Sequence, residues 1–310
     1  MTRKRYLQEQ ITTGSFTLPV VIVFTLVWWF FHREAADDWI RPGVGYAWMA
    51  LNAFLLALLN NRFSLIRLHT QFHVVLFFLL TSTLLPAAFS YGQAALTCYL
   101  LAGYALFKSY QRVEPVGEIF TSFLWIGIAS LFFPPILYFV PLFYLGAQLF
   151  QAFTLRTLFA GIVGLLLPYW VLLTYIVTTG TWDWFVDWAY QLQPVLEISY
   201  EGWGVPSILS FSFVALLTIL GAIHCLTNNY ADRIRTRFHL NFLILAQFYT
   251  FAFLLLQPQH AEWLAPLTMA HVSILGGHLF ALTRTKASNV LFLVVALLWL
   301  IFLLISIWNS

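Results

Sequence analysis

An all-α integral membrane protein is the fold class this sequence predicts, and three of its features say so. The 310 residues are 61% hydrophobic and only 9% charged, with mean hydropathy +0.83. A soluble domain covers its surface with about 25% charged residues. This chain therefore needs lipid as its solvent and, inside lipid, helices that satisfy their own backbone. Apolar runs close to the roughly 20 residues that cross the hydrocarbon recur along the whole sequence, and the basic residues between them fall almost entirely on one side.

Taken in order, the runs number eleven, at about 15–31, 45–60, 72–89, 91–108, 116–133, 136–154, 157–179, 206–226, 240–256, 262–283 and 288–308. The N-terminus, MTRKRYLQEQITTGSF, has the basic start of a signal peptide but no small-x-small cleavage site, so the first run is expected to remain as an uncleaved span. With that terminus in the cytoplasm, Arg3, Lys4, Arg5, Arg62, Arg67, Lys108, Arg112, Arg156, Arg233, Arg235, Arg237, Arg284 and Lys286 lie inside. Only Arg33 and Arg41, of fifteen basic residues, lie outside. This is the positive-inside pattern, and it predicts about eleven transmembrane helices, N-in and C-out, in one transmembrane domain over 1–310 with its larger outer loops at about 32–44 and 180–205. The net charge of +3 reports retained basic loops, so nucleic acid is set aside as a partner.

Local features fit the same plan. Pro134 and Pro135 mark a tight outer turn between the fifth and sixth runs. Glu118 falls in the first turn of the fifth, where a carboxylate complements the helix dipole. Pro168 is expected to kink the seventh. Cys98 and Cys225 sit in separate runs and are expected as buried thiols. Trp28, Trp29, Trp39, Trp48, Trp182, Trp184, Trp188, Trp203 and Trp263 gather near the outer boundary, as an aromatic belt does.

Candidate chemistry lies in the two outer loops. The first holds His32, Arg33, Glu34, Asp37, Asp38 and Arg41 within ten residues. A carboxylate at the membrane edge can act as general base toward a hydroxyl or hold a divalent cation, and an arginine can grip a lipid phosphate through paired donors. Solvated loop charges that neutralise one another are the competing reading. The second loop, Trp182 to Gly204, carries Asp183, Asp187, Glu197 and Glu201, four tryptophans and no basic residue. Its first part has helical spacing up to Pro194, which predicts an amphipathic helix lying in the outer interface. Trp184 and Trp188 beside Asp183 and Asp187 suit sugar binding, and anchoring of the helix explains the same residues.

Within the apolar runs, His271 and His278 flank Gly276 and Gly277 on one helix. They read either as a proton relay or as histidines satisfied at a close helix contact. Gln148, Gln151 and Gln247 read as interhelical polar contacts. His69 and His73 have metal-ligand spacing but no acidic or thiol partner nearby in sequence. A P-loop, a dinucleotide fingerprint, a zinc cluster and a Ser-His-Asp order are all missing from the sequence.

From about Leu59 to Gly180, the stretches LNNRFSLIRLHTQFH and FLWIGIASLFFPPILYFVPLFYLGAQLFQAFTLRTLFAGIVGLLLPYW resemble an uncharacterised family of bacterial polytopic inner-membrane proteins, with its GIASLF hairpin and its LR…G…PY helix. More distantly, the same middle segment resembles glycosyltransferases of the GT-C superfamily, which take sugars from polyprenyl-phosphate donors outside the membrane. The large soluble outer domain of many such enzymes has no counterpart here. The resemblance implies Asp37 or Asp38, with Glu34, as catalytic base. It implies Arg33 or Arg41 at the phosphate, and Asp183, Asp187, Trp184 and Trp188 at the sugar or acceptor.

The expectation is thus a multi-pass protein of the bacterial inner membrane in cell-envelope biogenesis. Its partners would be membrane lipids, a polyprenyl-phosphate lipid and other membrane proteins. No organic cofactor or resident metal is expected, although the acidic outer loops have the ligands for a divalent cation. A non-catalytic subunit that scaffolds an envelope complex and a transporter are the alternatives.

Overall fold

A computed structural model of the chain describes residues 6–31, 39–85, 89–190, 198, 200 and 203–309, without the side chains of Trp184, Asp187, Asn229 and 305–309. The regular structure among the described residues is entirely helical: α1 (Leu7–Thr13), α2 (Thr17–Phe31), α3 (Ile40–Phe63), α4 (Phe72–Leu84), α5 (Tyr91–Lys108), α6 (Val116–Phe132), α7 (Val140–Leu149), α8 (Leu155–Thr179), α9 (Trp182–Tyr190), α10 (Val205–Thr227), α11 (Ile234–Leu256), α12 (Ala261–Leu282) and α13 (Lys286–Asn309), with 3-10 turns at Pro134–Phe139, Asn229–Ala231 and Pro258–His260. Each expected apolar run carries one of these helices. Six of them, α3, α8, α10, α11, α12 and α13, are long and apolar enough to cross a membrane, and α1 with α2, bent by 81°, qualifies as a seventh if taken as one broken span. The apolar helices α4, α6 and α7 are shorter.

Three starts differ from expectation, that of α11 among them, at Ile234 rather than near 240. The residues before the first run form α1, which turns sharply into α2. Helix α3 begins at Ile40 rather than near 45, because Pro42 fits a first helical turn and its buried carbonyl accepts the Trp29 indole N–H at 2.9 Å. Trp28, Trp29 and Trp188 are accordingly buried, whereas Trp39 and Trp182 are exposed. An indole placed in the interior needs an acceptor, so part of the expected aromatic belt serves as internal anchors.

The helices form two compact units. Unit 1 contains α1 to α4, α10, most of α11, most of α12, and α13. At its centre is α12, buried almost without a break from Leu264 to Ala281. Close approach explains how: a Cβ at Gly277 would meet His73 Cβ of α4 at 2.8 Å, and one at Gly221 of α10 would meet Leu275 Cβ at 2.9 Å. A buried polar chain then ties three helices, with His271 Nδ1 3.1 Å from Gln247 Oε1 and Gln247 Nε2 donating to Thr218 Oγ1 at 3.3 Å. At the C-terminal end of α12, the last carbonyls lack helical donors. Gln8 of α1 supplies them, its amide donating to the Phe280 and Thr283 carbonyls at 2.6 and 3.0 Å. The same end of unit 1 gathers Thr70 with the Thr12 carbonyl, Thr236 with the Ser64 carbonyl, Glu9 with Arg284, and Arg235 over the Phe63 ring.

Unit 2 contains α5 to α9 and residues 252–263. Helices α6 and α8 run in near backbone contact. A Cβ at Gly127 would lie 2.6 Å from the Leu165 carbonyl oxygen, and one at Gly164 would press on that of Phe120. Ser130 of α6 hydrogen-bonds Tyr169 of α8. The GIASLF and LR…G…PY stretches therefore have a packing role, the small residues admitting the helices and the hydroxyls joining them. Helix α8 runs without interruption through Pro168 and stops at Gly180, which takes a left-handed conformation. At its start, a capping box between Thr154 and Thr157 fixes the first turn. Arg156 pairs with Glu114, and Arg112 pairs with Glu118 of the first turn of α6. Gln148 and Gln151 are exposed, the latter in the turn after α7, so of the three expected interhelical glutamines only Gln247 has that role. Both cysteines are buried and free.

Replacing Gly164 with Leu forces α6 away from α8 at a backbone oxygen that cannot rotate aside. A loss of about 1–3 kcal/mol is expected, read as a lower melting temperature of the detergent-purified protein. Gly117→Leu, where a Cβ meets nothing within 4 Å, should leave it unchanged.

Candidate functional site

Of the residues expected in the outer site, Arg33, Glu34, Asp37 and Asp38 lie outside the described residues, as do the side chains of Trp184 and Asp187. Arg41 is exposed in the first turn of α3, in unit 1. In unit 2, α9 is a nine-residue helix of strongly amphipathic character, with Asp183 exposed in its first turn. Trp188 fastens this helix to the unit. It is 7% exposed, its Nε1–H donates to the Ser130 carbonyl at 2.9 Å, and its ring meets Tyr169 edge-on and Phe185 in a stack. Trp188 is therefore placed as an anchor, with its ring faces covered, rather than as an open stacking surface for a sugar.

His69 and His73 do not share a helix face. His69 is exposed before α4 begins, and His73 is buried beside Gly277. Among the described residues no group of three or more His, Cys, Asp or Glu side chains has the arrangement of a metal site.

The densest cluster of chemically capable side chains is one that sequence reasoning left apart. In unit 1, Asp232 follows the 3-10 turn after α10 and precedes α11, and its side chain is fully buried. Its Oδ2 lies 3.1 Å from His278 Nε2 of α12, while His278 Nδ1 lies 3.3 Å from Cys225 Sγ of α10. Arg67, in the α3–α4 loop, approaches Oδ1 at 3.8 Å. Arg237 holds the segment through its backbone, donating to the Asp232 carbonyl at 3.0 Å and the Tyr230 carbonyl at 2.7 Å. The His224 ring stands 5.4 Å from that of His278.

A carboxylate oxygen accepts, so an Nε2–H of His278 meets Asp232, which leaves Nδ1 to accept from the Cys225 S–H. Asn228 presents its amide donor to His224 Nδ1 at 3.0 Å. That leaves the proton of His224 on Nε2, which is buried without a hydrogen-bond partner, as is Asp232 Oδ1. Carboxylate, imidazole and thiol in line make the order in which a thiol can be activated. Here Cys225 is 2% exposed, and the His278 and Asp232 side chains are fully buried. In this sealed form the cluster joins α10, α12, the segment before α11 and the α3–α4 loop. The sequence carried one signal for it, an acid between two helices in an otherwise basic loop, but 46 residues separate Asp232 from His278.

The chain matches no protein family, no curated protein and no solved structure.

Removing the acceptor of a buried hydrogen bond leaves its donor unsatisfied, at a cost of about 1–3 kcal/mol. Asp232→Ala is therefore expected to lower the melting temperature sharply, and Asp232→Asn, whose amide oxygen still accepts from His278, to lower it less. Equal melting of Asp232→Ala and the wild type would remove the pair from the account.

Proposed function

We propose that the chain is a polytopic protein of the bacterial inner membrane that crosses about eleven times, N-in and C-out, and serves cell-envelope biogenesis as a GT-C-like glycosyltransferase using a polyprenyl-phosphate-linked sugar at the outer face. The observation that carries this reading is the position of α9. Helix α8 has 25 residues, about 37 Å at 1.5 Å per residue, enough to cross the hydrocarbon. At its start lie Arg156 and Glu114, and at its finish lies α9 with Asp183. An acidic, aromatic helix thus sits at the opposite end of unit 2 from the basic loops, where a site outside the membrane requires it. In unit 1, Arg67, Arg235, Arg237 and Arg284 share one end, which supports the same orientation.

In this reading Asp37 or Asp38 with Glu34 deprotonates the acceptor, Arg33 and Arg41 bind the lipid phosphate, and Asp183, Asp187 and Trp184 orient the sugar. Trp188 holds α9 in place. Replacing both Asp37 and Asp38 with Ala is expected to abolish sugar transfer from a polyprenyl-phosphate donor while protein levels stay normal; undiminished transfer ends the proposal. The orientation has its own test. A cysteine at Thr181 should react with a membrane-impermeant maleimide from the outside of intact cells, and one at Thr285 only after the membrane is opened, against the buried background of Cys98 and Cys225.

A transporter is the second reading, favoured by one observation. Asp232 is a fully buried acid paired with His278, the kind of ionisable pair that proton-coupled carriers place inside the membrane protein.

A further inference from the structure

Unit 1 has a cavity of about 220 Å3 between α1, α2, α4, α10, α12 and α13. Its walls are aliphatic and aromatic side chains. The two polar groups in its lining already have partners: the Thr17 hydroxyl donates to the Ile11 carbonyl at 2.8 Å, and Trp299 Nε1–H donates to Thr83 Oγ1 at 3.2 Å. Water needs two to four polar partners to occupy such a space, so this cavity excludes it. In a membrane the apolar filler at hand is hydrocarbon.

The cavity reaches the surface. Leu7 of α1 and Leu293 of α13 both line it and are 48% and 44% exposed. Helix α13 is the least enclosed of the long apolar helices, with 22% of its window buried, so the gap faces lipid. Depth and charge define what enters. From Lys286, the first residue of α13, to Trp299 at the far end of the cavity is 13 residues, about 20 Å at 1.5 Å per residue. That is somewhat over half of a hydrocarbon core of about 30 Å, the depth of one leaflet. At the shallow end stand Lys286, exposed, and Arg284 with Glu9 3.5 Å away.

We propose that this cavity is a binding site for one hydrocarbon tail of an anionic phospholipid from the leaflet on the α1 side, with the headgroup at Lys286. The tail replaces a void that neighbouring side chains do not fill, and Trp299, pinned by Thr83 and edge-on to Phe24, closes the far end. This site does not depend on the transferase reading and shares no residue with it.

Native mass spectrometry of the full chain purified in a mild maltoside detergent tests the proposal. One retained phospholipid per chain is expected. After delipidation and exposure to vesicles of equal phosphatidylglycerol and phosphatidylcholine, phosphatidylglycerol should be retained about tenfold over phosphatidylcholine. Ala296→Phe, which fills the cavity from α13, should reduce retention about tenfold, and Leu293→Trp at the mouth should do the same if the first variant fails to fold. Lys286→Glu should keep a bound lipid but abolish the preference for the anionic one. Detergent alone in the wild type, a retained polyprenyl phosphate instead of a phospholipid, or full retention in a folded filling variant would each overturn it.

Discussion

In a solvent without hydrogen bonds, every polar group that leaves the aqueous boundary has to find its partner inside the protein. That requirement runs through the described structure. Gln8 completes the open carbonyls of α12, and the Asn60 side chain accepts from the backbone N–H of Ile66 at 2.9 Å where α3 ends. Two indoles reach backbone carbonyls, Trp29 at Pro42 and Trp188 at Ser130. Each bond links segments distant in sequence or closes a helix end, so the polar residues of this very apolar chain specify its contacts, whereas the apolar ones supply area.

Packing follows from the same lack of a hydrophobic drive between helices in lipid. Helices associate there by close van der Waals contact and interhelical hydrogen bonds, and this chain uses glycine for the first and serine, threonine and tyrosine for the second. The α6–α8 pair shows the combination: Gly127 and Gly164 admit the opposing backbone, and Ser130 joins Tyr169. Aromatic rings fill what remains in unit 2, with Tyr99, Phe123 and Phe143 edge to face and Phe133 stacked on Trp263 at 5.1 Å.

Asp183 and Arg41, expected at an outer site, are exposed, each in its own unit. The cluster of Asp232 with His278 and Cys225 is closed. The carboxylate and the imidazole sit 3.1 Å apart with both side chains fully buried, and Arg67 and Arg237 reach the same segment. The arrangement concentrates structural constraint at the end of unit 1 that carries the arginines, in keeping with loops that hold a bundle together on that side.

The sequence alone determined the solvent, the helical class and the positions of the helices, because apolar run length and backbone satisfaction leave few choices in a bilayer. It also marked the buried thiols, the amphipathic character of α9 and the interhelical use of His271 and Gln247, each of which follows from local spacing or from the cost of burying one residue. Pairings across the chain were decided only by the tertiary structure. Nothing within a few residues of Asp232 indicates that it meets His278 and Cys225, or that Trp188 turns inward to Ser130 rather than outward to solvent. Burial and partnership depend on which helix faces pack together, and that is settled by the close approach of glycines and rings from segments dozens of residues apart, which a linear pattern does not encode one position at a time.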